Sequence, residues 1–292
     1  MVWRGAGDRM KQWGLIVDVA RCTNCQNCVL ATKDEYIGNS FPGYSGPMPA
    51  EGADWVVVDR VIRGGGDQVD VSYVPRMCQH CADAPCMRAP GGDAIRRRAD
   101  GIVLIDPIKA RGRRELVDAC PYGAIHWNQE QDIPQAWNFD AHLIDQGWTA
   151  PRCVQACPTG ALTVNYETPG SAAADSAWAG TEELRPELHT RPLVRYRNLQ
   201  RAKTLFLGGT VVHGATDQTC DNLPEAVVEL SIQGAFTAKC KTDAFGQFKF
   251  DGLVKGSSWA ISVTHGAMGP VTRTGSVGDG IHIGLIHLRE GE

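Results

Sequence analysis

No stretch of this sequence approaches the about 18 consecutive apolar residues that a membrane-crossing helix requires. The opening run, MVWRGAGDRMKQWGLIVDVARC, has no signal-peptide apolar core and no twin-arginine pair. The expectation is therefore a cytoplasmic chain without a membrane segment. Excess positive charge is missing too: 29 Lys and Arg face 33 Asp and Glu, a formal net charge of −4. That balance argues against nucleic acid or an anionic membrane as partner. Catalytic constellations are absent as well. There is no GxSxG, no HExxH, no phosphate-binding glycine loop and no nucleophile–base pair, so no catalytic residue is expected. What remains, 292 residues at 43% hydrophobic and 21% charged, is an ordinary globular composition with room for two domains.

Cysteine is the residue that is not scarce. Nine of the 11 lie between Cys22 and Cys157, most in tight spacings. A cytosolic chain spends such cysteines on metal more often than on disulfides. Region 1–165, which carries them, also contains a degenerate internal repeat. ACPYGAI (119–125) recurs as ACPTGAL (156–162), and VDVARCTNCQNC (17–28) aligns with IDPIKARGRREL (105–116). In that alignment Asp18 falls on Asp106, and Cys22, Cys25 and Cys28 fall on Ala110, Arg113 and Leu116. Thr32 then falls on Cys120.

A cubane iron–sulfur cluster needs four thiolates. In two-cluster ferredoxins each C-x2-C-x2-C-x3-C-P run gives three cysteines to one cluster and the fourth to the other. Four candidate runs can be laid out here. The first has Cys22, Cys25, Cys28 and Thr32; the second has Cys78, Cys81, Cys86 and Pro90. The third has Ala110, Arg113, Leu116 and Cys120; the fourth has Trp137, Asp140, Cys153 and Cys157. Crossing the first with the fourth gives one complete set, Cys22, Cys25, Cys28 and Cys157. Crossing the second with the third gives another, Cys78, Cys81, Cys86 and Cys120. The remaining positions form two sets without a full complement of ligands: Ala110, Arg113, Leu116 and Pro90 offer none, and Trp137, Asp140, Cys153 and Thr32 offer only the Cys153 thiol and Asp140 as a candidate oxygen ligand. Pairing the first run with the second would orphan Cys120 and Cys157. Two [4Fe-4S] clusters are therefore expected. Structural zinc is the alternative, although its four-cysteine sites come as two separated CxxC pairs.

From Thr204 the texture changes to short β-type runs: TLFLGGTVV, AVVELSI, FTAKCKT, GQFKFDGL, WAISVTH, VTRTGSV and IHIGLIHL. Their regular spacing predicts an immunoglobulin- or transthyretin-like sandwich over 204–292. The polar, proline-containing stretch 166–203 reads as an extended linker or arm. The fold class is α+β, a degenerate double ferredoxin-like domain followed by an all-β sandwich. Arg113 is a candidate partner of Asp118, Cys153 a buried apolar residue, and Cys220 and Cys240 free thiols. His80, His126 and His142 are packing residues, with hydrogen bonding to cluster sulfur as the sharper alternative for the first two.

CPYGAI and CPTGAL, with DGIVLID before the first, resemble the electron-transfer subunits of the dimethyl sulfoxide reductase superfamily of molybdenum and tungsten enzymes. DGIVLIDPIKARGRRELVDACPYGAIHWN, RPELHTRPLVRYRNL and FGQFKFDGL are closer still to the iron–sulfur subunits of the pyrogallol–phloroglucinol transhydroxylase and anaerobic phenol hydroxylase family. That resemblance implies cluster ligands at Cys22, Cys25, Cys28, Cys78, Cys81, Cys86, Cys120 and Cys157. It also implies a large catalytic partner subunit carrying a molybdopterin (bis-molybdopterin-guanine-dinucleotide) cofactor and acting on polyphenols such as pyrogallol or resorcinol. The family's transhydroxylase subunit lacks the cluster of the third run. Two other functions stay open: the electron-transfer subunit of another dimethyl sulfoxide reductase-type enzyme, and a purely structural docking module.

Overall fold

The computed structural model describes residues 11–65, 68–216, 219–278 and 281–289. The chain divides into two compact units, one of 1–59 and 73–199, the other of 60–72 and 200–292. No helix among the described residues is long and apolar enough to cross a membrane.

The first unit is built on a three-stranded sheet. Strand β1 (Gln12–Asp18) lies between β8 (Leu162–Glu167), antiparallel, and β9 (Val194–Arg197), parallel. Its run Trp13–Val17 is buried without alternation, as a central strand covered on both faces requires. The stretch 166–203, expected as an extended arm, thus supplies a strand of this sheet. Its Val194 and Tyr196 are wholly buried. It also contains helix α6 (Ala172–Trp178), capped by the Ser171 hydroxyl accepting from the Ala174 N–H at 3.1 Å.

Around this sheet stand small elements. They are α1 (Asn27–Tyr36), α2 (Pro85–Arg88), α3 (Glu115–Asp118), α4 (Ala141–Asp145) and α5 (Arg152–Gln155). Two-stranded ribbons join β4 (Ile95–Arg97) to β5 (Val103–Ile105), and β6 (His126–Asn128) to β7 (Ile133–Gln135). The internal repeat has a structural counterpart. The Asp18 carboxylate accepts the Ala20 N–H at 3.0 Å, and Asp106 accepts the Ile108 N–H at 2.9 Å, each holding a turn two residues on.

A hairpin of β2 (Val57–Gly65) and β3 (Gln68–Arg76) is shared between the units, its outer residues 60–72 belonging to the second. The second unit opens with the short helix α7 (Gln200–Lys203) and is otherwise a sandwich of two four-stranded sheets. One holds β10 (Leu205–Thr216), β11 (Thr219–Asn222), β14 (Gln247–Leu253) and β17 (Ile281–Leu288). The other holds β12 (Val227–Ile232), β13 (Ala235–Lys241), β15 (Ser258–His265) and β16 (Met268–Ser276). Alternate residues of β12, β14 and β15 point inward, and their side chains share one core with Leu207 and Val211 of β10 and Ile286 and Leu288 of β17. All seven predicted runs are strands. The eighth, β11, is the short polar segment TCDN, which has no apolar alternation to announce it.

Candidate metal centres

The two cysteine-rich runs fold as loops. In the first, Asn24 and Gln26 take left-handed conformations, with φ of 59° and 62°, so the chain turns tightly between Cys22, Cys25 and Cys28. In the second, His80 does so between Cys78 and Cys81, with φ of 46°. The remote cysteines sit in two equivalent turns. Gly123 N–H donates to the Cys120 carbonyl at 2.9 Å, and Gly160 N–H donates to the Cys157 carbonyl at 3.3 Å. Proline follows each cysteine, pre-setting φ at the second position of the turn.

These four pieces meet in pairs. Cys22, Cys25, Cys28 and Cys157 line one recess, with Val58, Pro75, Ala161 and Leu162. Cys78, Cys81, Cys86 and Cys120 line another, with Ile95, Val103, Tyr122 and Ile125. Their empty volumes are about 310 and 510 Å³. Each recess thus gathers three closely spaced cysteines and one distant along the chain, from the same crossed pairs that the spacing predicts.

The electrostatics of the two recesses differ in degree. Burial, then the neighbouring Cys22, pushes the Cys28 thiol up to about 11. Burial also pushes Cys81 to about 12 and Cys86 to about 11, with Cys120 adding to both, and raises Cys78 well above its ordinary value. Cys157 is the exception. Burial pushes it up, but the backbone of Leu162 and the Thr159 hydroxyl outweigh burial and lower it. Around Cys120, the Ala124 N–H donates to Sγ at 3.4 Å. Thiols packed together in apolar surroundings are held neutral unless a cation replaces their protons. N–H donors aimed at sulfur stabilise the thiolate that then forms. A four-sulfur donor set with such donors fits an iron–sulfur cluster. Among the described residues, no three Cys, His, Asp or Glu side chains converge on a point where a single ion could sit.

The two ligand-free sets are filled rather than open. Ala110 and Leu116 are wholly buried in a small core with Ala94, Ile95, Val103 and Ile125. Arg113, on the rim, pairs with Asp93 and donates to the Gly91 carbonyl at 2.8 Å, not to the expected Asp118. Arginine reaches forward to whichever carboxylate its loop faces, and Asp93 stands across the loop. In the other set Trp137, Asp140, Cys153 and Thr32 are all buried. Cys153 lies outside both recesses, and burial raises its pKa well above the ordinary thiol value. Thr32 Oγ1 donates to the Cys28 carbonyl at 2.9 Å.

His80 and His142 are buried; the His80 backbone hydrogen-bonds to Cys78, while both imidazoles bond elsewhere. His80 Nδ1 accepts the Val103 N–H at 3.0 Å, while His142 Nε2 lies 2.8 Å from Glu35 and its ring stacks on Phe41. Burial lowers the pKa of His126. Cys220 lies on β11 and Cys240 on β13, in different sheets of the sandwich. Spacing does not reveal the buried polar network around Tyr36, Asn138 and Asp140, because Tyr36 stands more than 100 residues from its two partners in sequence.

A family signature described as a 4Fe-4S dicluster domain matches residues 69–167. The small subunit of pyrogallol hydroxytransferase from Pelobacter acidigallici is 39% identical over 251 residues, covering 85% of this chain and 89% of that protein. A tetrathionate reductase subunit of Salmonella typhimurium is 30% identical, covering 68% of this chain and 77% of that one. The anaerobic dimethyl sulfoxide reductase of Escherichia coli has a component 30% identical over 52% of this chain and 72% of its own length. An alignment as long as that with the Pelobacter protein takes in parts of both the cysteine-bearing unit and the sandwich. The chain therefore belongs to the iron–sulfur small-subunit family of pyrogallol hydroxytransferase.

Proposed function

We propose that the chain holds two [4Fe-4S] clusters, one on Cys22, Cys25, Cys28 and Cys157 and one on Cys78, Cys81, Cys86 and Cys120. It does so as the electron-transfer subunit of a cytoplasmic molybdopterin enzyme that hydroxylates or transhydroxylates polyphenols. The observation that carries this reading is the lining of each recess by one complete crossed set. The matched family and the name of the Pelobacter relative support the partner, a large catalytic subunit carrying molybdopterin, and the substrate class. When bound, such clusters supply one-electron carriers. The chain's own residues do the rest. The eight thiols surrender their protons on loading, apolar walls such as Ile95, Val103 and Leu162 keep water off the sulfur, and N–H groups such as that of Ala124 hold negative charge there. The β sandwich carries no chemistry of its own and serves stability or partner contact.

One observation favours a second reading. The third and fourth sets are plugged by Leu116, Ala110 and Trp137, which supports two cluster sites rather than four. With fewer carriers, the clusters would act chiefly as staples joining distant stretches of chain. The Cys25→Ser variant separates the two. In an electron relay the complex with the large subunit still assembles, and reduced-cluster paramagnetic signals stop turning over with substrate. In a staple, assembly itself fails. Clusters that stay silent during turnover of the native complex would refute the relay.

A further inference from the structure

The second of the two ligand-free sets encloses a polar network of its own. Asp140 is completely buried, at 0% exposure, and begins α4 in a left-handed conformation with φ of 50°. One carboxylate oxygen, Oδ2, accepts the Arg152 N–H at 2.7 Å. The other, Oδ1, lies 2.8 Å from the Tyr36 hydroxyl oxygen. That hydroxyl lies 2.5 Å from Asn138 Oδ1. The Asn138 amide cannot be turned about, because Oδ1 also accepts the Asp140 backbone N–H at 3.1 Å. Three oxygens therefore stand in a row, Asn138 Oδ1, Tyr36 Oη and Asp140 Oδ1, with two short O···O contacts between them. Asn138 Oδ1 has no proton to give, and a tyrosine hydroxyl carries one. Each contact this short needs its own proton. Tyr36 gives its proton to Asn138, so the second must belong to Asp140.

The surroundings agree with that count. No cationic side chain pairs with Asp140. Arg152 spends its guanidinium on Glu35 and Asp34, and His142 Nε2 faces Glu35. Facing Asp140 are Tyr36 and Glu35 from α1, His142 from its own helix, and Arg152 and Cys153 from α5. Burial raises the carboxyl, and the Glu35 charge adds to it, against the backbone hydrogen bond from Arg152, Tyr36 and His142. A carboxylate so enclosed and unpaired is neutralised by protonation. Helix α1 joins this acid to the first recess: Cys28, Thr32 and Tyr36 stand one turn apart on its buried face, with Thr32 Oγ1 donating to the Cys28 carbonyl at 2.9 Å and the Tyr36 hydroxyl meeting Asp140.

We propose that Asp140 carries a proton at neutral pH, and that losing it lowers the reduction potential of the cluster on Cys22, Cys25, Cys28 and Cys157. The coupling rests on the cluster assignment above; the proton does not. An electron delivered from a mediator dye leaves the proton on Asp140 Oδ1. As pH rises, hydroxide takes that proton, water forms, and the carboxylate left behind opposes the incoming electron.

Two measurements on the full iron-loaded chain test this. Infrared spectroscopy at neutral pH should show a buried carboxylic-acid C=O band that is absent from Asp140→Asn. Tyr36→Phe should shift the band without abolishing it, because only the partner oxygen is removed. Potentiometric titration followed by paramagnetic resonance should give a midpoint that is level through neutrality and falls in the alkaline range. In Asp140→Asn that fall should disappear. Lack of an Asp140 acid band would overturn the proton, as would the same alkaline fall in Asp140→Asn overturn the coupling. Should the first cluster's signal be missing while the acid band persists, the cluster assignment and the coupling fail and the proton stands.

Discussion

A cysteine can serve as a ligand or as a small apolar group, and its neighbours decide which. Cys153 is completely buried, outside both recesses, beside Asp140 and Cys28. Cys153→Ala should leave iron and acid-labile sulfide unchanged, whereas Cys25→Ser should remove about half of both if each set holds one cluster; elemental analysis of the purified variants compares them. Spacing alone leaves Cys153 without partners, so its fate is legible in the sequence. Leu116 is legible only as the absence of a ligand. Structure shows what it does instead, which is to fill the space with Ala110 and Ile125. Leu116→Ala should therefore destabilise the first unit by about 2–5 kcal/mol, the range for a buried leucine that leaves a cavity, measured by denaturant unfolding. The partner of Arg113 is not legible, because loop geometry rather than distance along the chain chooses Asp93 over Asp118.

At the scale of elements, local pattern is readable where alternation or turn chemistry exists and silent where only long-range packing acts. The seven apolar runs of the sandwich and both Cys-Pro turns are visible for that reason. The TCDN strand is not, and neither is the attachment of residues 60–72 to the second unit. That attachment depends on charges with no local signature. Arg63, with a side chain 2% exposed, pairs with Asp70 and with Asp251 at 3.0 Å, while Arg201 and Lys249 also reach Asp70 at 3.1 and 3.3 Å. Burial opposes ionisation of Asp70, but Arg63 and Lys249 prevail and hold its carboxyl down at about 2, against an ordinary 3.8. A depressed carboxyl contributes stability above its unfolded value and loses it as pH falls through the folded one. The second unit should accordingly weaken between about pH 4 and pH 2. Asp70→Asn should remove that acid-sensitive part, about 1–2 kcal/mol. Thermal melts across that window check it. An unchanged acid profile in the variant would show that the clasp contributes nothing.

For the molecule as a whole, the two recesses link folding to metal. Thiols raised to about 11 and 12 are stabilising in their neutral form, so the metal-free chain keeps that stability below an ordinary thiol value of 9.0. It loses stability as pH rises toward 11–12. In the loaded chain the protons have already gone to solvent, so the same alkaline loss should be absent and acid should release the metal instead. Circular dichroism of the two forms from pH 8 upward compares them. The number of clusters the purified chain binds, and the sulfurs that hold them, are the most direct measure of these sites. Iron and labile sulfide determination with Mössbauer spectroscopy should find eight of each per chain, in two cubane clusters, falling to four of each in Cys25→Ser and in Cys81→Ser alike. One cluster, a single-ion zinc site, or a full complement in either serine variant would contradict it.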